Sequence, residues 1–330
     1  MQSKTENPAI SIIMATHNDG HYLSVALDSI ISQTVKDFEC IVINDGSTDD
    51  TVARLQSYAQ KDARLRLIHH EVPIGLTRSL IQGIAQARGP IIARQDADDW
   101  SSPDRLEKQL VVLNQNPTIG CVGSWAGVVD AQGDVQWISR CPETHDYLYH
   151  QLQQGNRLTH GSVMMRQSVY TRVGGYDALF QYAQDYDLWL RIGQVTQLHC
   201  IPEVLYYWRS TPHNISSRHS RFQTTLAGFA LCRHRYPSIQ PIVRECVSVE
   251  LYGVDQLNQG FIQHQIPVDI RQSVYAILGR FVLGSGDYQT ARGYLKSART
   301  RWSLFLWLLA AFPWVLHGLK QLRQWVRERR

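Results

Sequence analysis

Residues 91–100 read IIARQDADDW, and this stretch decides how the rest of the chain is interpreted. A short apolar run, typical of a buried strand, is followed by three carboxylates within four positions, Asp96, Asp98 and Asp99. Like charges this close repel each other, so stability does not explain their presence. The pattern therefore predicts a strand end that faces a cation, or a substrate that a cation accompanies.

Three similar apolar runs precede this strand, and each is followed by a helical pattern. The runs cover residues 9–16, 38–45 and 64–70, and the helical patterns cover residues 20–34, 47–60 and 76–88. Repeated strand–helix units with short connections predict an α/β fold with a mostly parallel central sheet flanked by helices. Ligands of such sheets bind at the carboxyl ends of the strands, where Asp45 and the cluster at 96–99 both lie.

Beyond residue 120 the pattern is less regular, and from about residue 216 it is mostly helical. Short strands are expected near 120–129 and 135–140, and two helices are expected to meet at residues 284–287. We predict three regions: a catalytic domain over residues 1–217, a helical C-terminal extension over 218–300, and an amphipathic basic tail over 301–330.

Composition excludes some classes of protein. A net charge of +4 over 330 residues is too small to indicate nucleic-acid binding. The N-terminal stretch MQSKTENPAI lacks the apolar core of a signal peptide, which predicts a cytoplasmic protein. The six cysteines contain no C-x-x-C pair, so we expect buried, unpaired thiols and neither a zinc ribbon nor a disulfide framework.

The carboxylates at 96–99 have two interpretations. Oxygen ligands suit Mg²⁺ and Mn²⁺, and Mg²⁺ is often held by one or two carboxylates together with substrate phosphates. The alternative is a helix start, with Ser102 as the N-cap and Pro103 at the first helical position. That alternative leaves Asp96 and Asp98 unexplained.

Asp45 is the second marker, because an acidic residue after the second strand often binds the ribose or base of a nucleotide. The alternative is an ordinary Asp-Gly turn with Gly46. After the first strand the chain reads MATHNDGHYL, with a single glycine. The glycine-rich loop of a dinucleotide-binding enzyme and the P-loop are both missing.

Several stretches together resemble the family 2 glycosyltransferases, whose fold is called GT-A. The matching stretches are SIIMATHNDGHYLSVALDSIISQT, FECIVINDGSTDDT, GLTRSLIQGIAQARGPIIARQDADD, PDRLEKQ, HGSVMMRQSVYTRVGGYD, QDYDLWLR and PEVLYYWR. Their order and spacing carry the resemblance, which covers roughly residues 8–217.

The resemblance implies roles for individual residues of the nucleotide-sugar site. Asp98 would be the direct metal ligand, with Asp96 completing the D-x-D element near the ribose and Asp99 facing the donor sugar. The residues implied beside the nucleotide are Thr16, Asn18, Asp45 (on the base) and Arg78 (near the base or the phosphates).

The resemblance also implies a general base, Asp185 in QDYDLWLR. Gln184 stands where the family usually has Glu, but the second residue of that pair carries the base role. The alternative for Asp185 is an N-terminal charge that favours the helix dipole. Pro73 stands where the family often has Asn, which affects one backbone or nucleotide contact. His213 is either a metal or diphosphate contact or an ordinary loop histidine.

These roles imply an inverting transferase that uses Mn²⁺ or Mg²⁺ and moves a sugar, typically from a UDP-sugar, to a glycan or lipid-linked acceptor in surface polysaccharide assembly. One metal and one base suffice for a single displacement. Two alternatives stay open: a sugar-nucleotide nucleotidyltransferase, and a non-catalytic nucleotide-sugar-binding scaffold on the same fold.

The tail at 301–330 combines an apolar run with basic residues and four tryptophans, Trp302, Trp307, Trp314 and Trp325. This composition predicts an anchor that lies at the inner face of the plasma membrane on anionic lipid. The alternatives are a helix packed on the catalytic domain and a single span, for which the apolar run is marginally long.

Overall fold

The computed structural model describes residues 7–211, 219–248, 254–285 and 287–298. The chain divides into two units, Met1–Asn214 and Ile215–Arg330. His213 and the tail at 301–330 lie outside the described residues, so the metal contact and the membrane anchor stay predictions. The predicted boundaries at 217 and 300 stay predictions for the same reason.

Four parallel strands form the first half of the sheet, in the order β3-β2-β1-β4. Each residue of β1, β2 and β4 is buried, as expected where helices cover both faces of a parallel sheet. The alternation predicted from the sequence is confirmed. In chain order the elements are β1 (Ile10–Thr16), α1 (Gly20–Ile31), β2 (Phe38–Asp45), α2 (Thr51–Lys61), β3 (Leu65–His70), α3 (Leu76–Ala85) and β4 (Ile91–Arg94).

The second half of the sheet is mixed. β8 is antiparallel to both β4 and β6, while β6 is parallel to β9. The order continues β4-β8-β6-β9-β5, and β7 pairs with residues 126–129 of β6, beyond the residues that pair with β8. The elements are β5 (Trp100–Ser101), α4 (Arg105–Gln115), β6 (Ile119–Val129), β7 (Val135–Ser139), α5 (His145–Leu152), a 3₁₀ turn (His160–Ser162), β8 (Met164–Arg166), α6 (Gln167–Arg172), α7 (Gln184–Val195) and β9 (Gln197–Arg209).

The predicted N-cap at Ser102 is wrong. Helix α4 begins at Arg105 with Asp104 as its N-cap, and the Ser102 hydroxyl donates to the Asp104 carboxylate over 2.9 Å. The reason is that the chain first forms a turn at residues 102–105, closed by the Arg105 amide on the Ser102 carbonyl over 3.1 Å. The helical bonds begin with the Lys108 amide, which donates to the Asp104 carbonyl over 3.0 Å.

The expectation that all six cysteines are unpaired is also wrong. Cys141 and Cys200 form a disulfide, with Cα atoms 6.2 Å apart and a separation of 59 positions in the chain. The two residues meet because the segment after β7 runs alongside β9, where the Cys200 amide donates to the Glu143 carbonyl over 3.1 Å. The other four cysteines are free and buried, as expected.

The described part of the second unit is helical. It contains α8 (Ser220–Arg235), α9 (Gln240–Ser248), α10 (Val254–Gln263), α11 (Val268–Ser285) and α12 (Tyr288–Ala298). Helices α11 and α12 meet where the sequence predicts, and Gly279 lets the two pack closely, since a Cβ there would lie 2.6 Å from Leu295. Over the described ranges, no helix combines the length and hydropathy that a bilayer crossing requires.

A buried carboxylate ties the amino ends of β1 and β2 to the loop after α3. Glu39 is 2% exposed and accepts hydrogen bonds from the Ser11 hydroxyl, the Arg88 amide and the Arg66 guanidinium over 2.7, 2.8 and 2.7 Å. Burial by itself would raise the pKa of Glu39, but these donors together lower it below its usual value of 4.5.

We expect Glu39→Gln to lower the free energy of unfolding of this unit by about 2 kcal/mol at pH 7, because two arginines lose their anion. A lowered pKa stabilises the fold above pH 4.5, and that stability is lost as the pH falls. Urea unfolding should therefore show the two proteins converging below about pH 4.

Glu107→Gln is the matched control, since Glu107 is exposed and accepts one hydrogen bond, from Thr34. It should change the stability by less than about 0.5 kcal/mol. Equal effects of the two substitutions would contradict the role given to Glu39.

Candidate active site

The candidate site lies at the carboxyl ends of the parallel strands. The register pairs Thr16 of β1 with Asn44 of β2, and Ile13 of β1 with Arg94 of β4, so the three strands end close together. The loops that leave these ends carry most of the predicted site residues. Two strands from the second half of the sheet, β8 and β9, complete the same edge.

Asp45 holds the loop that leads into α3. Its two carboxylate oxygens accept hydrogen bonds from the amides of Ile74 and Gly75, each over 2.8 Å, and from His70 over 2.8 Å. Burial opposes ionisation, but these donors outweigh it and lower the pKa of Asp45. Asp45 is thus an anion that holds the loop at residues 74–75, and its contact with a base stays a prediction.

The local structure explains why proline is found at position 73, where the family often has Asn. Gly46 has a φ of +67°, and a Cβ on it would lie 2.7 Å from Cδ of Pro73. The proline ring therefore packs against the turn after β2, where only glycine fits. Arg78 lies just beyond, exposed in the first turns of α3, so its side chain can reach a ligand at this edge.

Asn18 joins the loops that follow β1 and β2. It adopts a left-handed conformation with φ +60°, donates its amide to Ser47 over 2.9 Å and accepts the Thr48 amide over 2.8 Å. Thr16 is buried and donates its hydroxyl to Asp19 over 2.9 Å. The two predicted residues therefore belong to one hydrogen-bonded corner of the site.

Asp96 is paired with a fully buried arginine. The Arg94 guanidinium contacts the Asp96 carboxylate and also donates to the carbonyl of Gln95 over 3.0 Å. Arg94 was not predicted from the sequence, although an arginine inside a buried apolar strand is itself a signal of a buried partner. The ion pair with Arg94 fixes the Asp96 carboxylate at the edge of the site.

Asp98 lies among other carboxyls of the site. Burial, together with the charges of Asp19 and Asp96, raises the pKa of Asp98 to about 7. Asp19 was not predicted as a site residue, and burial raises the pKa of its carboxyl as well. These two carboxyls repel each other across two loops, an arrangement that a bound cation would relieve.

Asp99 turns away from solvent and is 1% exposed. One oxygen accepts from the Tyr206 hydroxyl over 2.9 Å and the other from the Arg209 amide over 2.8 Å. Burial raises the pKa of Asp99 well above its ordinary value, with the charges of Asp98 and Asp96 adding to the effect. Asp99 therefore connects the cluster to β9, and its predicted contact with the donor sugar stays a prediction.

A second buried arginine positions the backbone around the cluster. Arg105 of α4 donates to the carbonyl of Gly161 over 2.6 Å and to the carbonyl of Arg94 over 2.9 Å. Gly161 must lack a side chain, since a Cβ would lie 1.9 Å from the Tyr206 hydroxyl and 2.8 Å from Asp96. Arg105, Gly161 and Tyr206 were not among the site residues predicted from the sequence.

His160 forms the wall between β4 and α7. Its Nε2 lies 3.3 Å from Nε of Arg94, which can only donate, and 2.7 Å from the Tyr176 hydroxyl. Nε2 is therefore an acceptor and the proton is on Nδ1. Burial, with the charge of Arg94, lowers the pKa of His160 to about 3, so the ring is neutral near pH 7.

Asp185 lies in the first turn of α7 and accepts a hydrogen bond from Asn156 over 2.6 Å. Burial raises the pKa of Asp185 to about 6, opposed by donors that include the Tyr186 amide and Asn156, and the charge of Asp96 raises it further. A carboxyl with this pKa is ionised near neutral pH yet basic enough to accept a proton. Asp96 and Asp185, 89 residues apart in the chain, are therefore close enough in the fold to interact electrostatically.

The protein side chains at this edge supply only some of the ligands that a divalent cation needs. Among the residues that the structure describes, no three His, Cys, Asp or Glu side chains are grouped to hold a metal ion. Asp96 and Asp98 offer carboxylate oxygens, and burial with the charges of Asp19 and Asp96 raises the pKa of Asp98. This suits an ion such as Mg²⁺ that takes its other ligands from phosphates and water.

We expect Asp98→Asn to stabilise the metal-free protein by about 1–2 kcal/mol at pH 8, because it removes an uncompensated buried charge. A raised pKa means that ionisation costs stability as the pH rises from 3.8 towards about 7, so the gain should shrink at pH 5. Thermal unfolding at both pH values, in the presence of a chelator, measures this gain in stability. Asp37→Asn, at an exposed carboxylate, is the control. A loss of stability at pH 8 would contradict the repulsion.

Two comparisons at the level of sequence identify the family. The model of "Glycosyl transferase family 2" matches residues 11–174. An uncharacterized glycosyltransferase of Haemophilus influenzae is 30% identical over 229 residues, which cover 67% of this chain and 71% of that protein. The O-antigen biosynthesis glycosyltransferase WbnJ of Escherichia coli is 35% identical over 185 residues, which cover 56% of this chain and 71% of that protein.

Solved structures show the same fold. Staphylococcus aureus TarS (1-349) in complex with UDP-GlcNAc has a TM-score of 0.57 at 15% identity, covering 87% of this chain and 83% of that one. The mannosyltransferase PcManGT of Pyrobaculum calidifontis in complex with GDP-Man and Mn²⁺ has a TM-score of 0.54 at 18% identity, covering 97% and 84%. The GT-A fold predicted from the sequence is thereby confirmed. The chain belongs to glycosyl transferase family 2 and is a glycosyltransferase.

Proposed function

We propose that this glycosyltransferase moves a sugar from a UDP-sugar to a hydroxyl of a glycan or lipid-linked acceptor, with inversion and with Asp185 as the general base. The observation that carries the proposal is the electrostatic link between Asp185 and the carboxylates after β4: the charge of Asp96 raises the pKa of Asp185. A candidate base within electrostatic reach of the proposed cation-binding carboxylates supports a single displacement.

In this reaction the acceptor oxygen forms a bond to the anomeric carbon while the bond from that carbon to the diphosphate oxygen breaks. The diphosphate leaves with the electron pair, and the acceptor proton goes to the Asp185 carboxylate. Asn156 donates to that carboxylate over 2.6 Å, which fixes its orientation and favours its ionised form. His160 is neutral near pH 7, since its pKa is lowered to about 3, and does not compete for the proton.

The donor would lie along the edge formed by Thr16, Asn18, Asp45 and Arg78. The anionic Asp45 orients the loop at 73–75, and the exposed Arg78 supplies a positive charge for the base or the phosphates. Asp98 and Asp96 would hold Mn²⁺ or Mg²⁺, with His213 as a further contact. When bound, the ion would neutralise the charge that develops on the leaving diphosphate.

The proposed setting is surface polysaccharide assembly at the inner face of the plasma membrane. The support is that a relative, WbnJ, is named for O-antigen biosynthesis, and that the tail at 301–330 is basic and rich in tryptophan. The tail would hold the enzyme at anionic lipid while the described units remain in the cytoplasm.

The donor and the metal are tested by nucleotide release. The protein is incubated with a panel of UDP-sugars and GDP-mannose, with Mn²⁺, Mg²⁺ or a chelator. We expect metal-dependent release of UDP from one sugar, reduced at least about 100-fold in Asp98→Asn and unchanged in Asp37→Asn. Release of GDP in place of UDP would contradict the proposal that the donor is a UDP-sugar. Equal release of nucleotide in the chelator would contradict the proposed dependence on a metal ion.

The general base is tested by the pH dependence of transfer. The rate should rise with pH through about 6, because Asp185 must lose its proton, and Asp185→Asn should abolish the dependence together with most of the activity. Asn156→Ala removes a hydrogen-bond donor to the ionised Asp185. The midpoint of the pH–rate curve of this variant should therefore move to higher pH by about half a unit.

Gln154→Ala, two residues away and exposed, is the control for Asn156→Ala and should leave the midpoint unchanged. Retention of the donor's anomeric configuration in the product, read by proton NMR, would rule out inversion. A flat pH profile in the parent enzyme would rule out Asp185 as the base.

A further inference from the structure

The hairpin of β6 and β7 exposes large apolar side chains beside the site. Val135, Trp137 and Ile138 are 55%, 54% and 39% exposed. Within the described ranges β7 pairs with β6 alone and is an edge strand. Edge strands usually carry polar or charged residues that prevent association, so an exposed tryptophan here points to a ligand.

The strand register places two tryptophans side by side. Val128 of β6 is the partner of Trp137 on β7 and of Trp208 on β9, so the three residues form one row across the sheet. Residues in such a row project from the same face. The two indole rings meet edge to face with centroids 6.5 Å apart, and Val128 between them has no exposed surface.

This face leads directly into the active site. Tyr206 precedes Trp208 by two residues in β9 and therefore projects from the same face, about 7 Å away along the strand. The Tyr206 hydroxyl donates to Asp99 over 2.9 Å and lies 3.1 Å from the amide of Asp96. The indole pair is thus continuous with the edge that holds the carboxylates.

Arg209 fixes the hairpin relative to these carboxylates. Its guanidinium donates to the carbonyls of Asp130 and Ala131, in the turn of the hairpin, over 3.1 and 2.8 Å. The same group donates to the carbonyl of Asp98 over 3.0 Å. The turn and the cluster therefore share one buried side chain, and the indole pair is held in place.

We propose that Trp137 and Trp208 form a platform on which a pyranose ring of the acceptor glycan stacks. This rests on the proposed function and names the acceptor subsite. Exposed indole rings match the apolar C–H faces of a sugar, and polar side chains around them match its hydroxyls. Ser139, two residues after Trp137 in β7, projects from the same face and supplies such a group.

The charges on the hairpin favour a glycan over a membrane. Asp130 and Asp134 place two carboxylates at its turn, which anionic lipid would repel. Asp130 is moreover fixed there, because one of its oxygens accepts the amides of Gln132, Gly133 and Asp134, each over 3.0 Å. A surface made to enter lipid would place cations at this position.

The test is binding of the full chain to an array of immobilised oligosaccharides covering the common pyranoses. The variants are Trp137→Ala, Trp137→Phe and, as a control, Tyr147→Ala, which removes an aromatic side chain of similar exposure (58%) on α5. We expect binding to fall at least about 10-fold in Trp137→Ala and much less in Trp137→Phe. Tyr147→Ala should bind like the parent protein.

Several outcomes would overturn the platform. They are binding to no oligosaccharide by the parent protein, equal binding by Trp137→Ala, and Trp137-dependent binding to phosphatidylglycerol vesicles or Trp137-dependent dimers in light scattering. Nucleotide release by the same preparation separates the two proposals. Trp137-dependent binding by a protein that releases no nucleotide supports the platform and contradicts the proposed transfer.

Discussion

Repulsion among the carboxylates after β4 is the constraint on which the rest of the site depends. Asp96 has Arg94 as an ionic partner, and Asp99 receives neutral donors, a hydroxyl and an amide. Asp98 is left with a pKa raised to about 7. Without a ligand this arrangement costs stability, and the fold tolerates it because the strands behind it are completely buried.

The buried arginines hold the site together by donating hydrogen bonds to backbone carbonyls, more than by pairing with the carboxylates. Arg105 donates to two carbonyls on different segments, and Arg209 does the same for the hairpin turn and the carbonyl of Asp98. A guanidinium with five donors can join segments that share no sheet pairing. Hence the carboxylates keep their positions although they repel each other, and a cation that binds them meets an organised site.

The sequence predicted what local patterns determine. Apolar runs and helical periodicity were enough for the first half of the sheet, and D-x-D and Asp45 were visible because polar residues at buried strand ends stand out. The pairs that organise the site were not visible: Arg105 with Gly161, Tyr206 with Asp99 and Cys141 with Cys200 are 56, 107 and 59 residues apart. Such pairs follow from strand order in the second half of the sheet, which has no repeating pattern. Asp19 was missed because its neighbour Asp98 comes from another loop.

The contrast between the interlocked edge and the open hairpin has a consequence for substitutions. Around Gly161 a single added methyl group would collide with Tyr206, so a side chain there would disrupt the site whatever the substrate. On β7 four of the five residues are exposed, and substitutions there leave the core untouched. A protein with this fold can therefore change along β7 while its chemistry stays constant, because the tightly packed turn before β8 and the exposed strand β7 are separate parts of the structure.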